Sequence, residues 1–171
     1  MKRRTFLLAG GASALGLFAG GAGWRIGGVW WNQSAGDGWQ ILSDREAEIA
    51  TAIAEAMFPG DDLGMPSGAD VDVVETLDEY LVAIPTTKAN MLRLLLHAID
   101  EMAVGSDLSM RRFHNRPHDE RVEILNAWDD SGLTVRREAF EALKLVMSMG
   151  YCESAKVLDA AGIDYECGSV E

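Results

Sequence analysis

The chain has 171 residues and a formal charge of −12, with 15 basic and 27 acidic residues. This length allows one ordinary domain and excludes a large enzyme with separate cofactor and substrate domains. The excess of acid repels phosphate backbones, which excludes nucleic-acid binding that depends on counterion release. Residues 1–40 carry a net charge of +3, which leaves −15 for the rest and sets the N-terminal segment apart.

The N-terminal segment has the layout of an export signal. A basic cluster precedes an uncharged run from Phe6 to Gly23 that is rich in Leu, Ala and Gly. Arg3 and Arg4 are followed, after one residue, by Phe6 and Leu7, and this order resembles the twin-arginine signal of proteins exported in the folded state. We therefore expect residues 1–35 to be a signal peptide or signal-anchor with a Gly/Trp-rich linker, and residues 36–171 to be a helical domain.

A membrane-spanning helix is the alternative for the same run, which is long enough to cross a bilayer. Its six glycines weaken both insertion and helix formation, so a signal is favoured over a permanent anchor. No clean Ala-x-Ala motif marks a cleavage point, so an uncleaved signal-anchor is the remaining alternative. The expected location is the periplasm or the outer face of the cytoplasmic membrane, with membrane association either indirect or through that anchor.

Four of the five tryptophans precede the first predicted helix, namely Trp24, Trp30, Trp31 and Trp39. A Gly-rich stretch without helical periodicity cannot bury all of these indoles locally. They must therefore pack on the helical body, on a membrane interface or on another protein. Both packing on the chain's own bundle and partner binding remain open at this stage.

Caps and apolar periodicity predict six helices after residue 42. The first starts at a capping box, Ser43 with Glu46, and ends at Phe58-Pro59-Gly60. The others are predicted from Asp70 to Pro85, from Thr86 or Thr87 to Gly105, from Pro117 to Gly132, from Thr134 to Gly150, and from Ser154 to Ala161. No stretch alternates like a strand, so the predicted fold is all-α: a small irregular bundle of about five to six helices.

No motif for catalysis, cofactor binding or metal binding is found, and we predict no such residue on this chain. A nucleophile elbow, a P-loop and a dinucleotide fingerprint are all missing from the sequence. His114 and His118 have a proline between them and should straddle a loop and a helix start. His97 lies near Asp100 and Glu101, but no Glu-x-x-His motif occurs, which favours a half-buried His97 beside solvated acids.

The two cysteines, Cys152 and Cys167, flank the last predicted helix. An internal disulfide is one interpretation, because export to an oxidising compartment permits it. Closing a loop of this length would stabilise the fold by up to roughly 3 kcal/mol. Two unrelated thiols, or pairing with another chain, are the alternatives.

Motifs along nearly the whole chain carry a family resemblance. They are the twin-arginine leader, Phe58-Pro59 at the end of the first helix, a loop with Pro66 and Gly68-Ala69, Arg121-x-x-Ile124-Leu125, Arg136-Arg137-x-Ala139-Phe140-x-Ala142-Leu143-Lys144, and Gly150-Tyr151 before Val157-Leu158 and Gly162. With these motifs the chain resembles the gluconate 2-dehydrogenase subunit 3 family.

The resemblance implies a small non-catalytic subunit of a membrane-associated sugar or alcohol dehydrogenase. In such complexes a large subunit of the glucose-methanol-choline oxidoreductase type carries FAD and binds the substrate, and a multihaem cytochrome c subunit often receives the electrons. The resemblance thus implies no cofactor on this chain, FAD in the large partner and haem c in a third subunit. It also implies that the leader of the small subunit carries the unsignalled large partner out with it.

Two hypotheses of function follow from the sequence. The first is an accessory subunit for export, assembly and stability of a catalytic partner. The second is an independent exported helical protein that binds a small ligand or metal. For the first, we expect the partner to be contacted by apolar residues of the linker and of the loop after the first helix, namely Trp30, Trp31, Trp39, Phe58, Pro59, Met65 and Pro66.

Overall fold

The computed structural model describes residues 33–60, 64–103 and 111–163. The chain divides into two units, Met1–Ser34 and Ala35–Glu171, and the elements described below all belong to the second. These elements are α1 (Asp44–Met57), α2 (Val73–Ala83), α3 (Thr86–Met102), a 3-10 turn (Phe113–Asn115), α4 (His118–Asp129), α5 (Thr134–Glu153) and α6 (Ala155–Ala160). The described ranges contain six α-helices and no strand, which confirms the predicted all-α fold.

The helix α1 packs against α2, α3, α4 and the 3-10 turn. More than half of its residues are buried, and most of these are alanines, whose small side chains let neighbouring helices approach closely. The capping box predicted at its start is present, because Ser43 accepts from the backbone of Glu46 while the Glu46 carboxylate accepts from the backbone of Ser43. The helix ends at Met57, immediately before Phe58-Pro59.

The longest helix, α5, packs against α2, α3, α4 and α6. It contributes Phe140, Leu143 and Met147 to the core, each at most 2% exposed. The ring of Phe140 lies 6.4 Å from that of Trp128 on α4, which joins these two helices through aromatic contact. No helix of the described ranges is both long enough and apolar enough to cross a bilayer.

Two predicted boundaries were wrong. Helix α2 begins at Val73 rather than at Asp70, and Asp72 occupies its N-cap position without a side-chain hydrogen bond. Helix α5 continues through Gly150 to Glu153. Gly150 is buried where α5 crosses α2, and an added Cβ would lie 3.0 Å from the Cβ of Thr76. This glycine therefore permits a close approach of two helices and does not end the helix.

Candidate partner-binding surface

The turn after α1 is held against α5 by an aromatic pair. The rings of Phe58 and Tyr151 stack with their centroids 4.2 Å apart and their planes 9° apart. The hydroxyl of Tyr151 donates a hydrogen bond to the carbonyl of Pro66, at 2.7 Å. One tyrosine therefore fixes both the end of α1 and the loop that returns to α2, while Pro59 between them is exposed.

The returning loop lies directly on α1. The amide of Gly68 donates to the carbonyl of Phe58 at 2.7 Å, and an added Cβ on Gly68 would overlap the carbonyl oxygen of Ala54. Lys156 of α6 donates to the carbonyl of Asp70 at 2.6 Å. The family motifs around Phe58, Pro66, Gly68 and Tyr151 thus meet at one place, although they are far apart in the sequence. The positions predicted to bind a partner, Phe58, Pro59, Met65 and Pro66, lie on this turn and loop.

A small crevice opens beside this turn, between α1, α4 and α5. Its volume is about 260 Å³. Apolar side chains of all three helices form its floor, and they are Ala56, Met57, Val122, Leu125 and Phe140. The rim is formed by Asn126, Asp129 and Lys144. The ammonium of Lys144 bridges Asp129 at 2.6 Å and Glu141 at 3.0 Å, and the hydrogen bond to Asp129 raises the pKa of Lys144.

Trp39 lies towards the opposite end of α1, where it lines a wide polar groove of about 630 Å³ together with Asp44, Glu48 and His114. It is half-buried and packs against the core. Since α1 has 14 residues, its ends are about 20 Å apart. The structure therefore brings the predicted loop positions together but leaves Trp39 at a distance from them.

The segment before α1 is positioned by Asp78 of α2, a residue that sequence reasoning missed. Its carboxylate accepts three backbone N–H groups, from Gln40 at 2.6 Å, Ile41 at 3.0 Å and Leu42 at 2.9 Å. Asp78 is only 3% exposed, so these bonds replace its hydration. The only sequence feature that could have indicated this role is the position of Asp78, an acidic residue next to Leu77 on the buried face of an amphipathic helix.

Two further buried carboxylates join α1 to α3 and to the 3-10 turn. Glu46 accepts from Nε and Nη2 of Arg93, both at 2.9 Å, and lies 3.1 Å from Nε2 of His97. Asp100 accepts from Arg45 at 3.0 Å and lies 2.7 Å from Nδ1 of His114. These contacts pair each buried carboxylate with a partly exposed arginine of another helix.

Burial alone would raise the pKa of Glu46, but the hydrogen bonds from His97, Arg93 and Ser43 outweigh it and lower the pKa to about 2. The carboxylate is therefore charged throughout the neutral range, and its charge is committed to holding α1 against α3.

The expectation of a half-buried His97 beside solvated acids was wrong. His97 is 2% exposed and Asp100 is completely buried, because α3 faces α1 and the 3-10 turn at these positions. The placement of the other histidines is confirmed, since His114 lies in the 3-10 turn and His118 opens α4. Within the described residues, no group of three or more His, Cys, Asp or Glu side chains could hold a metal ion.

Several predicted positions lie outside the described residues. They are Arg3, Arg4, Phe6 and Leu7 of the export signal, Trp24, Trp30 and Trp31 of the linker, and Cys167 of the candidate disulfide. Cys152 is exposed at the end of α5. The export signal, the disulfide and the linker contacts therefore stay predictions.

Comparison with known proteins agrees with the motifs. Residues 44–167 match the family described as gluconate 2-dehydrogenase subunit 3. No curated protein and no solved structure matches the chain. The matched region runs from the first residue of α1 past the end of α6 and covers more than half of the chain, so the chain belongs to the gluconate 2-dehydrogenase subunit 3 family.

Proposed function

We propose that this chain is a non-catalytic subunit that exports, assembles and stabilises the large subunit of a sugar or alcohol dehydrogenase. The family match over residues 44–167 carries this proposal, because the family is defined as a subunit of a larger enzyme. In the proposed complex, the large subunit is of the glucose-methanol-choline type and holds FAD, and a multihaem cytochrome c subunit is a further partner. The complex works in the periplasm or at the outer face of the cytoplasmic membrane.

The buried charges support a structural role for the helical body. Glu46 and Asp100 are both at most 1% exposed, and each is paired with cations of another element. A catalytic acid or base has to reach a substrate, whereas these groups join α1, α3 and the 3-10 turn. At the turn after α1, Pro59 is exposed, whereas Phe58 packs against the core and is half-buried, so the turn offers a small apolar surface to a partner.

The proposal is tested by expressing the flavoprotein subunit with and without this chain, and then measuring dye-linked dehydrogenase activity in cytoplasmic and envelope fractions. With the chain present, we expect activity in the envelope fraction. Without it, we expect the flavoprotein to stay in the cytoplasm. Full export and activity of the flavoprotein alone would contradict the proposal, and so would oxidation of sugar by the purified small chain.

A further inference from the structure

We infer that Asp78 of α2 is a latch that keeps the segment 36–42 attached to the bundle and confines any proteolytic removal of the leader to the chain before Gly36. The inference rests on the export role in the proposed function and adds where the leader can be removed. Removal hydrolyses one peptide bond, in which water supplies a hydroxyl to the carbonyl carbon and a hydrogen to the nitrogen. An endopeptidase of the cell envelope catalyses this step.

The latch is a buried carboxylate that binds backbone far away in the sequence. Oδ2 of Asp78 accepts from the amide of Gln40 at 2.6 Å, and Oδ1 accepts from the amides of Ile41 at 3.0 Å and Leu42 at 2.9 Å. Hydrogen bonds to an ionised acceptor are stronger than those between neutral groups. Asp78 is only 3% exposed, so detachment of the segment would take three donors from a carboxylate that water hardly reaches.

The latched segment is also closed on itself. The amide of Gly36 donates to the carbonyl of Leu42 at 2.9 Å, and the amide of Trp39 donates to the carbonyl of Gly36 at 3.2 Å. Leu42 is completely buried, and Trp39 packs against the core. An added Cβ on Gly36 would overlap the carboxylate of Asp44, so the first residue of the segment lies against the start of α1. The segment is therefore held at both of its ends.

This arrangement protects the segment from endopeptidases. A peptide bound as an added strand has to be extended and has to offer its backbone groups for pairing. The tip of the turn, Asp37-Gly38, is exposed, but Gly38 has a φ of +89°, which an extended strand does not have. Susceptibility to cutting follows the burial and hydrogen bonding of the backbone. A cut within the segment therefore requires the latch to open first.

The latch is tested by native-state proteolysis of the purified full-length chain. Thermolysin cuts before large apolar residues and so can recognise Ile41 and Leu42, and mass spectrometry of the new N-termini measures cleavage before each. We expect Asp78→Asn to be cut there about tenfold faster or more than the unmodified chain, because the loss of charge and of one acceptor oxygen favours opening. Glu79→Gln is the matched control, an exposed neighbour on α2, and should change the rate less than twofold. Thermal melting shows whether each variant is folded.

A second measurement needs no substitution. Hydrogen exchange of the unmodified chain is followed by NMR at single amides. We expect the amides of Ile41 and Leu42 to exchange at least about 100-fold more slowly than those of Asp37 and Gly38, after correction for intrinsic rates, because they open only with the latch. Equal corrected rates would overturn the inference.

A third measurement locates the boundary in exported material. The chain is isolated from the envelope fraction, and its N-terminus is determined by intact mass and N-terminal sequencing. We expect every residue from Gly36 onward to be present, whether or not the leader has been removed. A new N-terminus between residues 37 and 43 would overturn the inference.

The outcomes separate this inference from the proposed function. If thermolysin cuts Asp78→Asn and the unmodified chain at equal rates, the latch is refuted and the proposed function is unaffected. If the latch protects the segment but the flavoprotein is exported without this chain, the proposed function fails and the latch stands as a property of the bundle.

Discussion

Glu46 serves two structural purposes with one carboxylate. It completes the capping box of α1 with Ser43, and it also accepts hydrogen bonds from Arg93 of α3. Glu46→Gln keeps the shape but removes the charge, which leaves the guanidinium of Arg93 beside a neutral amide. We expect a loss of about 2–3 kcal/mol of unfolding free energy, measured by urea titration at pH 7. The control is Glu48→Gln, an exposed position on the same helix, for which we expect a change within about 0.5 kcal/mol. Equal effects of the two substitutions would contradict the inferred role of Glu46.

The same carboxylate gives the fold a defined acid dependence. In the folded chain the pKa of Glu46 is about 2, below its ordinary value of 4.5. A lowered folded-state pKa adds stability that is complete above pH 4.5 and is lost as the pH falls towards 2. The difference in unfolding free energy between the native chain and Glu46→Gln should therefore narrow as the pH falls below 4.5. Urea titrations at several pH values measure this difference, and a constant difference down to the lowest pH would refute the assignment.

The connection between α1 and α2 depends on a close approach at Gly68. A side chain at this position would collide with the carbonyl oxygen of Ala54 in α1. We expect Gly68→Ala to lower the unfolding free energy by about 1–3 kcal/mol, and to displace the loop that carries Met65 and Pro66. Gly132→Ala is the matched control, since no atom lies within 4 Å of an added Cβ there. Urea titration measures both variants, and an unchanged stability of Gly68→Ala would show that the loop can move away from α1.

Local sequence signals were sufficient to predict most helices. Contacts between residues far apart in the sequence could not be predicted from such signals. Ser43 with Glu46 and the turn at Phe58-Pro59 mark both ends of α1, because caps and helix-stopping residues act within one turn. Gly150 was wrongly predicted to end α5. A glycine lies there because Thr76 of α2 leaves little room for a side chain. Asp78 illustrates the same limit, because the N–H groups it binds lie 36 to 38 residues earlier in the chain. Apolar periodicity cannot indicate such a partner.

At the scale of the whole molecule, the chain combines a basic first segment with a strongly acidic helical body. The pair Arg3 and Arg4 belongs to the first segment, whereas every element of the described bundle starts at Asp44 or later. Replacing both arginines with lysine keeps the charge but removes the planar guanidinium groups. Because the substitutions lie outside the bundle, they should leave its fold and its affinity for the flavoprotein unchanged.

We therefore expect Arg3→Lys with Arg4→Lys to retain both this chain and the flavoprotein in the cytoplasm, with dehydrogenase activity lost from the envelope fraction. The leader is proposed as the signal for both proteins, so the two should be retained together. Immunoblotting of cell fractions measures their location, and Arg25→Lys is the matched control because it lies outside the arginine pair. Retention of this chain alone, with the flavoprotein still exported, would show that the partner has its own route. Normal export of both would refute the twin-arginine assignment.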